Sequence, residues 1–127
     1  MCRRAVLMSL GLLLTSTVTA GGAFAASGSL RCSAPTTSQA DAPPVGSSAS
    51  YTAADAGSAE VAHTEAMTLH VISTAPNPGW RGDAVYPTNR SVKVVFYDTR
   101  KRGSQVRLTV SLDNSGRHTH ARVVTCT

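Results

Sequence analysis

The stretch SVKVVFYD, residues Ser91–Asp98, decides the fold class. β-Branched and aromatic residues fill it, and both residue types are enriched in β-strands. Val92, Val94 and Phe96 recur with a period of two, which places them on one face of an extended chain. The final aspartate opens a turn. This pattern predicts the central strand of a small antiparallel β-domain with one buried face.

Outward from this stretch, apolar alternation and turn-forming residues predict six strands in all. The strand after the central one is the most regular, because every second residue from Val106 to Leu112 is apolar. The predicted strands cover Ser58–Thr64, Met67–Thr74, Arg81–Thr88, Ser91–Asp98, Gln105–Leu112 and Arg117–Thr125. No stretch from Ala26 onward has a sustained helical repeat. We therefore expect an all-β fold, a six-stranded antiparallel meander that forms a sandwich or partial barrel.

Residues 1–25 have the features of a signal peptide that is cleaved on export. Arg3 and Arg4 are its charged start, residues 5–18 are apolar, and Ala23-Phe24-Ala25 offers small residues for cleavage after Ala25. The apolar run is shorter than the ~20 residues that a membrane-spanning helix needs. We expect a secreted or envelope-associated protein without a stable membrane span. The two arginines fit both the general and the twin-arginine export route.

Residues 26–57 are rich in Ser, Ala, Thr, Gly and Pro, and Tyr51 is their only aromatic residue. This composition provides little apolar surface to offset the conformational entropy that is lost on folding. We expect a flexible, low-complexity arm here, followed by the all-β domain over residues 58–127.

The cysteines are interpreted in the light of export to an oxidising compartment. Cys2 leaves with the signal peptide, so Cys32 and Cys126 remain as an even pair. We predict a disulfide between them, which would stabilise a domain of about 70 residues that has a small core. A lipid anchor on Cys32 is the alternative, but Leu30 and Arg31 stand where lipidation needs small residues.

The charge of the chain indicates which partners it favours. The formal net charge is +5 at pH 7, and from Val61 onward nine basic residues stand against four acidic ones. This excess of positive charge favours binding to anionic surfaces, for example wall polymers or nucleic acid at low salt. Arg100, Lys101 and Arg102 form a compact basic tip between two predicted strands and, together with Arg107, are candidates for contact with an anionic polymer. The alternative is that the three residues of the tip are a solvated turn whose charge discourages pairing with the edge of another sheet. We expect no specific binding of nucleic acid.

Trp80 is the only tryptophan and follows a proline-rich corner. A core this small needs large apolar residues, so one interpretation is that Trp80 covers the open end of the sandwich. The other is an exposed anchor beside Arg81, because tryptophan and arginine are enriched at binding hot spots.

Two histidines on one predicted strand are candidate metal ligands. His118 and His120 are two residues apart, so both imidazoles project from one face and offer two positions to zinc, copper or nickel. His70 would be a third ligand if its strand lay nearby. Solvated polar positions are the alternative, and we expect neither a metal nor another cofactor.

No residue pattern indicates catalysis. Asp83, Asp98 and Asp113 all fall in or beside predicted turns, and no serine or cysteine has the context of an activated nucleophile. We expect the protein not to be an enzyme.

Two segments resemble the tendamistat family of secreted α-amylase inhibitors, which are six-stranded β-sandwiches that block the enzyme with a Trp-Arg-Tyr turn. Residues 91–96 resemble the central strand of that family, and residues 120–126 resemble its last strand. Trp80-Arg81 lies at similar spacing, with Gly82 in place of the tyrosine. The resemblance implies that Trp80 and Arg81 contact a glycosidase. The corner before Trp80 is also similar to small exported actinobacterial β-domains without an assigned activity.

Taken together, these patterns predict an exported module without chemistry of its own. It would act by binding or as a structural component of the envelope, with a protein or an anionic cell-wall polymer as its partner. The alternative is a tendamistat-like inhibitor of a secreted glycosidase such as α-amylase.

Overall fold

A computed structural model describes residues 30–127, which form two antiparallel β-sheets. The strands are β1 (Thr36–Asp41), β2 (Ser48–Ala53), β3 (Gly57–Glu65), β4 (Thr68–Pro76), β5 (Trp80–Thr88), β6 (Ser91–Asp98), β7 (Gln105–Leu112) and β8 (His118–Cys126). One sheet has the order β1-β8-β7-β6-β5 and the other the order β2-β3-β4. The all-β prediction is confirmed, and the sheets pack against each other without closing into a barrel.

The predicted signal peptide, residues 1–25, lies outside the described residues. Over residues 30–127, no helix has the length and apolar character needed to cross a membrane.

Residues 30–127 form eight strands rather than the predicted six. All six predicted strands are present as β3 to β8. The prediction of a flexible arm over residues 26–57 is wrong for residues 36–53, because β1 and β2 lie there. β1 pairs with β8 from Thr36 opposite Val123 to Asp41 opposite His118, and β2 pairs with β3.

The two additional strands form because a sheet is held by backbone hydrogen bonds, which small polar residues make as well as apolar ones. Ala53 and Ala56 then fill narrow space in the core and have no exposed surface. The hydroxyls of Tyr51 in β2 and Thr119 in β8 lie 2.9 Å apart, so one hydrogen bond joins the two sheets. The arm therefore becomes part of the sandwich.

The predicted central strand, β6, is an interior strand, whereas the middle of the larger sheet is β7. The predicted inner faces of both strands are correct: Val92, Val94, Phe96, Val106, Leu108, Val110 and Leu112 are all buried. β8 turns Thr119 and Ala121 inward, the side that its sequence left open. From the smaller sheet, Val61, Leu69 and Val71 complete the core.

Phe96 is the largest fully buried side chain, and two glycines make room for its ring. Gly82 in β5 is the cross-strand partner of Phe96 in β6, and a Cβ atom at Gly82 would lie 3.2 Å from Phe96 Cε1. A Cβ atom at Gly57 in β3 would lie 3.1 Å from the same ring atom. Gly57 also has a φ of +146°. A Cβ atom there would approach the carbonyl oxygen of Ala75 to 2.5 Å. A side chain at Gly57 would therefore collide with the paired strand β4 of its own sheet and press on the Phe96 ring of the other sheet.

The predicted disulfide between Cys32 and Cys126 is present and links residues 94 positions apart in the sequence. Backbone hydrogen bonds extend the contact on both sides of it. Arg31 and Thr127 each donate to the other's carbonyl oxygen at 2.9 Å, and the Ser33 N–H donates to the Thr125 carbonyl oxygen at 2.8 Å. The segment before β1 is thereby fixed along the end of β8.

We predict that Gly57→Ala destabilises the protein by about 1–3 kcal/mol more than Gly46→Ala does. Both glycines have positive φ, so both substitutions strain the backbone. Only at Gly57 does the new methyl group meet backbone atoms, since nothing lies within 4 Å of a Cβ atom at Gly46. Urea denaturation of the two variants measures the difference, and equal losses would contradict this account of the packing.

We predict that replacing both cysteines, Cys32→Ser with Cys126→Ala, lowers the free energy of unfolding by about 2–5 kcal/mol. The cross-link restricts the unfolded chain and fixes the segment before β1 in the folded one. Denaturation with and without a reductant is the measurement. Reductant should lower the free energy of unfolding of the wild type and leave that of the double variant unchanged. If reductant did not change the stability of the wild type, the predicted effect of the cross-link would be wrong.

Candidate functional site

The larger sheet buries one face in the core and leaves the opposite face open, and we call the latter the outer face. Side chains reach it from alternate positions of β6, β7 and β8. In one cross-strand row, Lys93 lies opposite Thr109 and Thr109 lies opposite Arg122. In the next row, Arg107 lies between Val95 and Val124. Arg107 is therefore the diagonal neighbour of both Lys93 and Arg122, and such diagonal pairs lie about 7–8 Å apart, within reach of long side chains.

A pocket of about 340 Å³ lies on the outer face, and we call it the basic pocket. Its floor is the sheet and one wall is the segment fixed by the disulfide. The lining residues are Cys32, Ser33, Pro35, Lys93, Arg107, Thr109, Arg122 and Val124. The volume falls within the range of about 300–1,000 Å³ that is usual for ligand pockets.

The cations of the basic pocket are not neutralised by acidic side chains. Among residues 30–127, none of the ion pairs includes Lys93, Arg107 or Arg122. The Gln105 amide, with its oxygen turned toward Arg107, accepts hydrogen bonds from Nε and Nη2 of that guanidinium. This contact orients Arg107 while adding no negative charge, so the pocket has a concentrated positive charge.

The predicted basic tip lies in the turn between β6 and β7, and its residues do not line the basic pocket. Arg100 is engaged, because its Nε atom lies 3.2 Å from Oδ1 of Asp98 and its side chain packs over Gly79. The backbone N–H of Arg100 also donates to Asp98 and is the main reason why the pKa of this carboxyl lies below its ordinary value. Lys101 and Arg102 are exposed. Of the four predicted basic contacts, only Arg107 belongs to the pocket.

Trp80 and Arg81 begin β5, and consecutive strand residues point to opposite faces. Trp80 is half-buried and packs against the core. Arg81 is exposed on the outer face, 3.6 Å from a carboxylate oxygen of Asp83, with its guanidinium carbon 5.2 Å from the centre of the Tyr97 ring. The structure therefore does not join Trp80 and Arg81 into one continuous surface.

The three candidate metal ligands lie in different surroundings. His70 belongs to β4, in the smaller sheet, and stacks on Tyr86 with ring centres 5.2 Å apart. His118 and His120 lie in β8, and His120 is exposed. Within the described part of the chain, no three His, Cys, Asp or Glu side chains are arranged to hold a metal ion.

His118 is held between two carboxylates. Its Nδ1 atom lies 3.0 Å from Oδ2 of Asp113, and its Nε2 atom lies 3.7 Å from Oδ1 of Asp41. The Ser115 hydroxyl and the His118 side chain and backbone N–H donate to Asp113 and hold the pKa of this carboxyl well below its ordinary value. His118 thus organises the turn before β8.

Sequence reasoning missed four polar residues of the basic pocket: Ser33, Lys93, Thr109 and Arg122. The alternation within each strand already places Lys93, Thr109 and Arg122 opposite the apolar face. Their convergence depends on the register between strands, which single-strand patterns do not contain. Ser33 lay in the segment that was predicted to be a flexible arm.

Searches against known protein families, curated proteins and solved structures find no match to this chain.

We predict that Asp113→Asn makes the stability of the protein less sensitive to acid. The folded state lowers the pKa of Asp113 below that of the unfolded chain. The stabilisation from this carboxylate is therefore complete above the unfolded pKa, about 4, and is lost as the pH falls below it. Thermal unfolding between about pH 6 and pH 2 should show a smaller decrease in melting temperature for the variant. An equal decrease in melting temperature for the variant and the wild type would show that the Asp113 contacts do not contribute to the pH dependence of stability.

Proposed function

We propose that the protein is an exported binding module that acts by attachment to an anionic polymer of the cell envelope and performs no reaction. The observation that carries this proposal is the basic pocket, where Lys93, Arg107 and Arg122 gather and form no ion pair with a carboxylate of residues 30–127. Uncompensated positive charge on a rigid sheet attracts polyanions and orients them before contact.

The expected route of the protein also supports this proposal. A signal peptide over residues 1–25 would deliver the chain across the membrane, where disulfides persist. The Cys32–Cys126 bond is of the kind that such a compartment preserves. An exported protein with a basic face would meet the anionic polymers of the envelope before any intracellular polyanion.

The alternative proposal is inhibition of a secreted glycosidase such as α-amylase, as the resemblance to tendamistat implies. Arg81 is exposed and available for such a contact. We place this function second because Trp80 packs against the core, so only part of its ring can reach a partner.

We predict that the purified protein sediments with isolated cell walls at low salt and that most of it is released between about 50 and 200 mM salt. Counterion release is responsible, because each cation that contacts the polymer displaces condensed ions. Sedimentation with a neutral polysaccharide is the control. Failure to bind walls at low salt would overturn the proposed function, and inhibition of α-amylase that is lost in Trp80→Ala would favour the alternative.

A further inference from the structure

We infer that the basic pocket binds one phosphate group of a phosphodiester-linked polyol or sugar polymer. This inference rests on the proposed function and assigns its site and the chemistry of its ligand. It is carried by the placement of charge, hydroxyl groups and a fixed wall around one cavity.

The cations come from three adjacent strands and surround the cavity. Lys93 belongs to β6, Arg107 to β7 and Arg122 to β8. One arginine fork can pair both oxygens of a carboxylate. A phosphate group is tetrahedral and presents oxygens in several directions, so it accepts hydrogen bonds from several cations at once. Three converging cations therefore suit phosphate better than carboxylate.

Arg107 is oriented before any ligand arrives. Its Nε and Nη2 atoms donate to the neutral Gln105 amide. A guanidinium has five N–H donors, so three remain for a ligand. Because the amide holds the side chain without neutralising it, less conformational entropy is lost on binding.

Hydroxyl groups complete the polar lining. Thr109 lies between Lys93 and Arg122 in the cross-strand row. Ser33 contributes from the wall, where its N–H donates to Thr125 and its Oγ atom accepts from the Thr125 N–H at 3.4 Å. A hydroxyl can both donate and accept, which suits phosphate oxygens and the hydroxyls of a polyol or sugar.

The lining also distinguishes this polymer from nucleic acid. Proteins that bind single strands stack the bases on aromatic side chains. The basic pocket contains none, since its apolar residues are Cys32, Pro35 and Val124. A phosphate between small hydroxylated units satisfies the pocket, whereas a nucleotide would leave its base without a partner there.

The test is calorimetric titration of the purified protein with poly(glycerol phosphate) at fixed low salt. We expect Arg107→Gln and Arg122→Gln each to weaken binding by about tenfold or more, because each removes charged hydrogen bonds to the phosphate. Arg117→Gln is the matched control, since Arg117 is an exposed arginine just before β8 and outside the pocket. All three variants lose one charge, and their melting temperatures should equal that of the wild type.

Equal weakening by the pocket variants and by Arg117→Gln would overturn the inference, since binding would then follow net charge alone. Inorganic phosphate should bind far more weakly than the polymer, and equal affinity would overturn the assignment to a polymer in favour of free phosphate. Tighter binding of single-stranded DNA with the same number of phosphates would overturn it in favour of nucleic acid. Carboxylated polygalacturonate that binds as tightly as poly(glycerol phosphate) would overturn the preference for phosphate.

The experiments distinguish a failure of the pocket inference from a failure of the proposed function. If the protein binds cell walls and the pocket variants bind them equally well, attachment occurs elsewhere and only the pocket inference fails. If it does not bind walls, the proposed function fails, while the titration with phosphate polymer still reports on the pocket.

Discussion

The packing of Phe96 between the sheets is the constraint on which the rest of the structure depends. Its ring occupies space that Gly82 leaves free within the larger sheet and that Gly57 leaves free in the smaller one. An aromatic side chain beside a glycine in a neighbouring strand covers backbone that would otherwise contact water. Because the ring touches both sheets, it fixes their separation. The buried valines of β6 and β7 then pack in one core cluster with side chains of the smaller sheet. In a domain this small, one well-packed aromatic residue supplies a large share of the apolar contact.

This arrangement also determines where a site can lie. The smaller sheet has only three strands, and it covers one face of a five-stranded sheet. Residues 30–127 place no second sheet on the opposite face, so its side chains are free to be charged. One cation from each of β6, β7 and β8 then suffices to concentrate positive charge, because the strand registers place Arg107 diagonal to both Lys93 and Arg122. The basic pocket is therefore a consequence of unequal sheet size combined with strand register.

The sequence predicts the parts of this fold that depend on local pattern. Alternation identified β6 and β7 and their buried faces, because side chains in a strand alternate strictly between two sides. It did not identify β1 and β2, since their residues are small or polar and their strand structure comes from pairing with β8 and β3. The connection between them is held by a contact that no local pattern predicts: the buried ring of His63 uses Nδ1 to donate to the Pro43 carbonyl oxygen at 2.8 Å. For the same reason only Arg107 of the pocket cations was predicted, because a site built across strands requires the register.

The disulfide links the stability of the domain to the shape of its site. Cys32, Ser33 and Pro35 form a wall of the basic pocket, and the same short segment is joined to β8 by the Cys32–Cys126 bond. A free segment of this composition would have little apolar surface to keep it folded. Once cross-linked, it loses most of its conformational freedom, and its hydroxyl and backbone groups occupy fixed positions beside Arg107 and Arg122. The entropy of ordering this wall is thus lost during folding, so binding of the proposed ligand would leave more of the interaction energy for affinity. A site on an open sheet face needs such a wall, because a flat row of cations attracts polyanions without fixing the position of any one charged group.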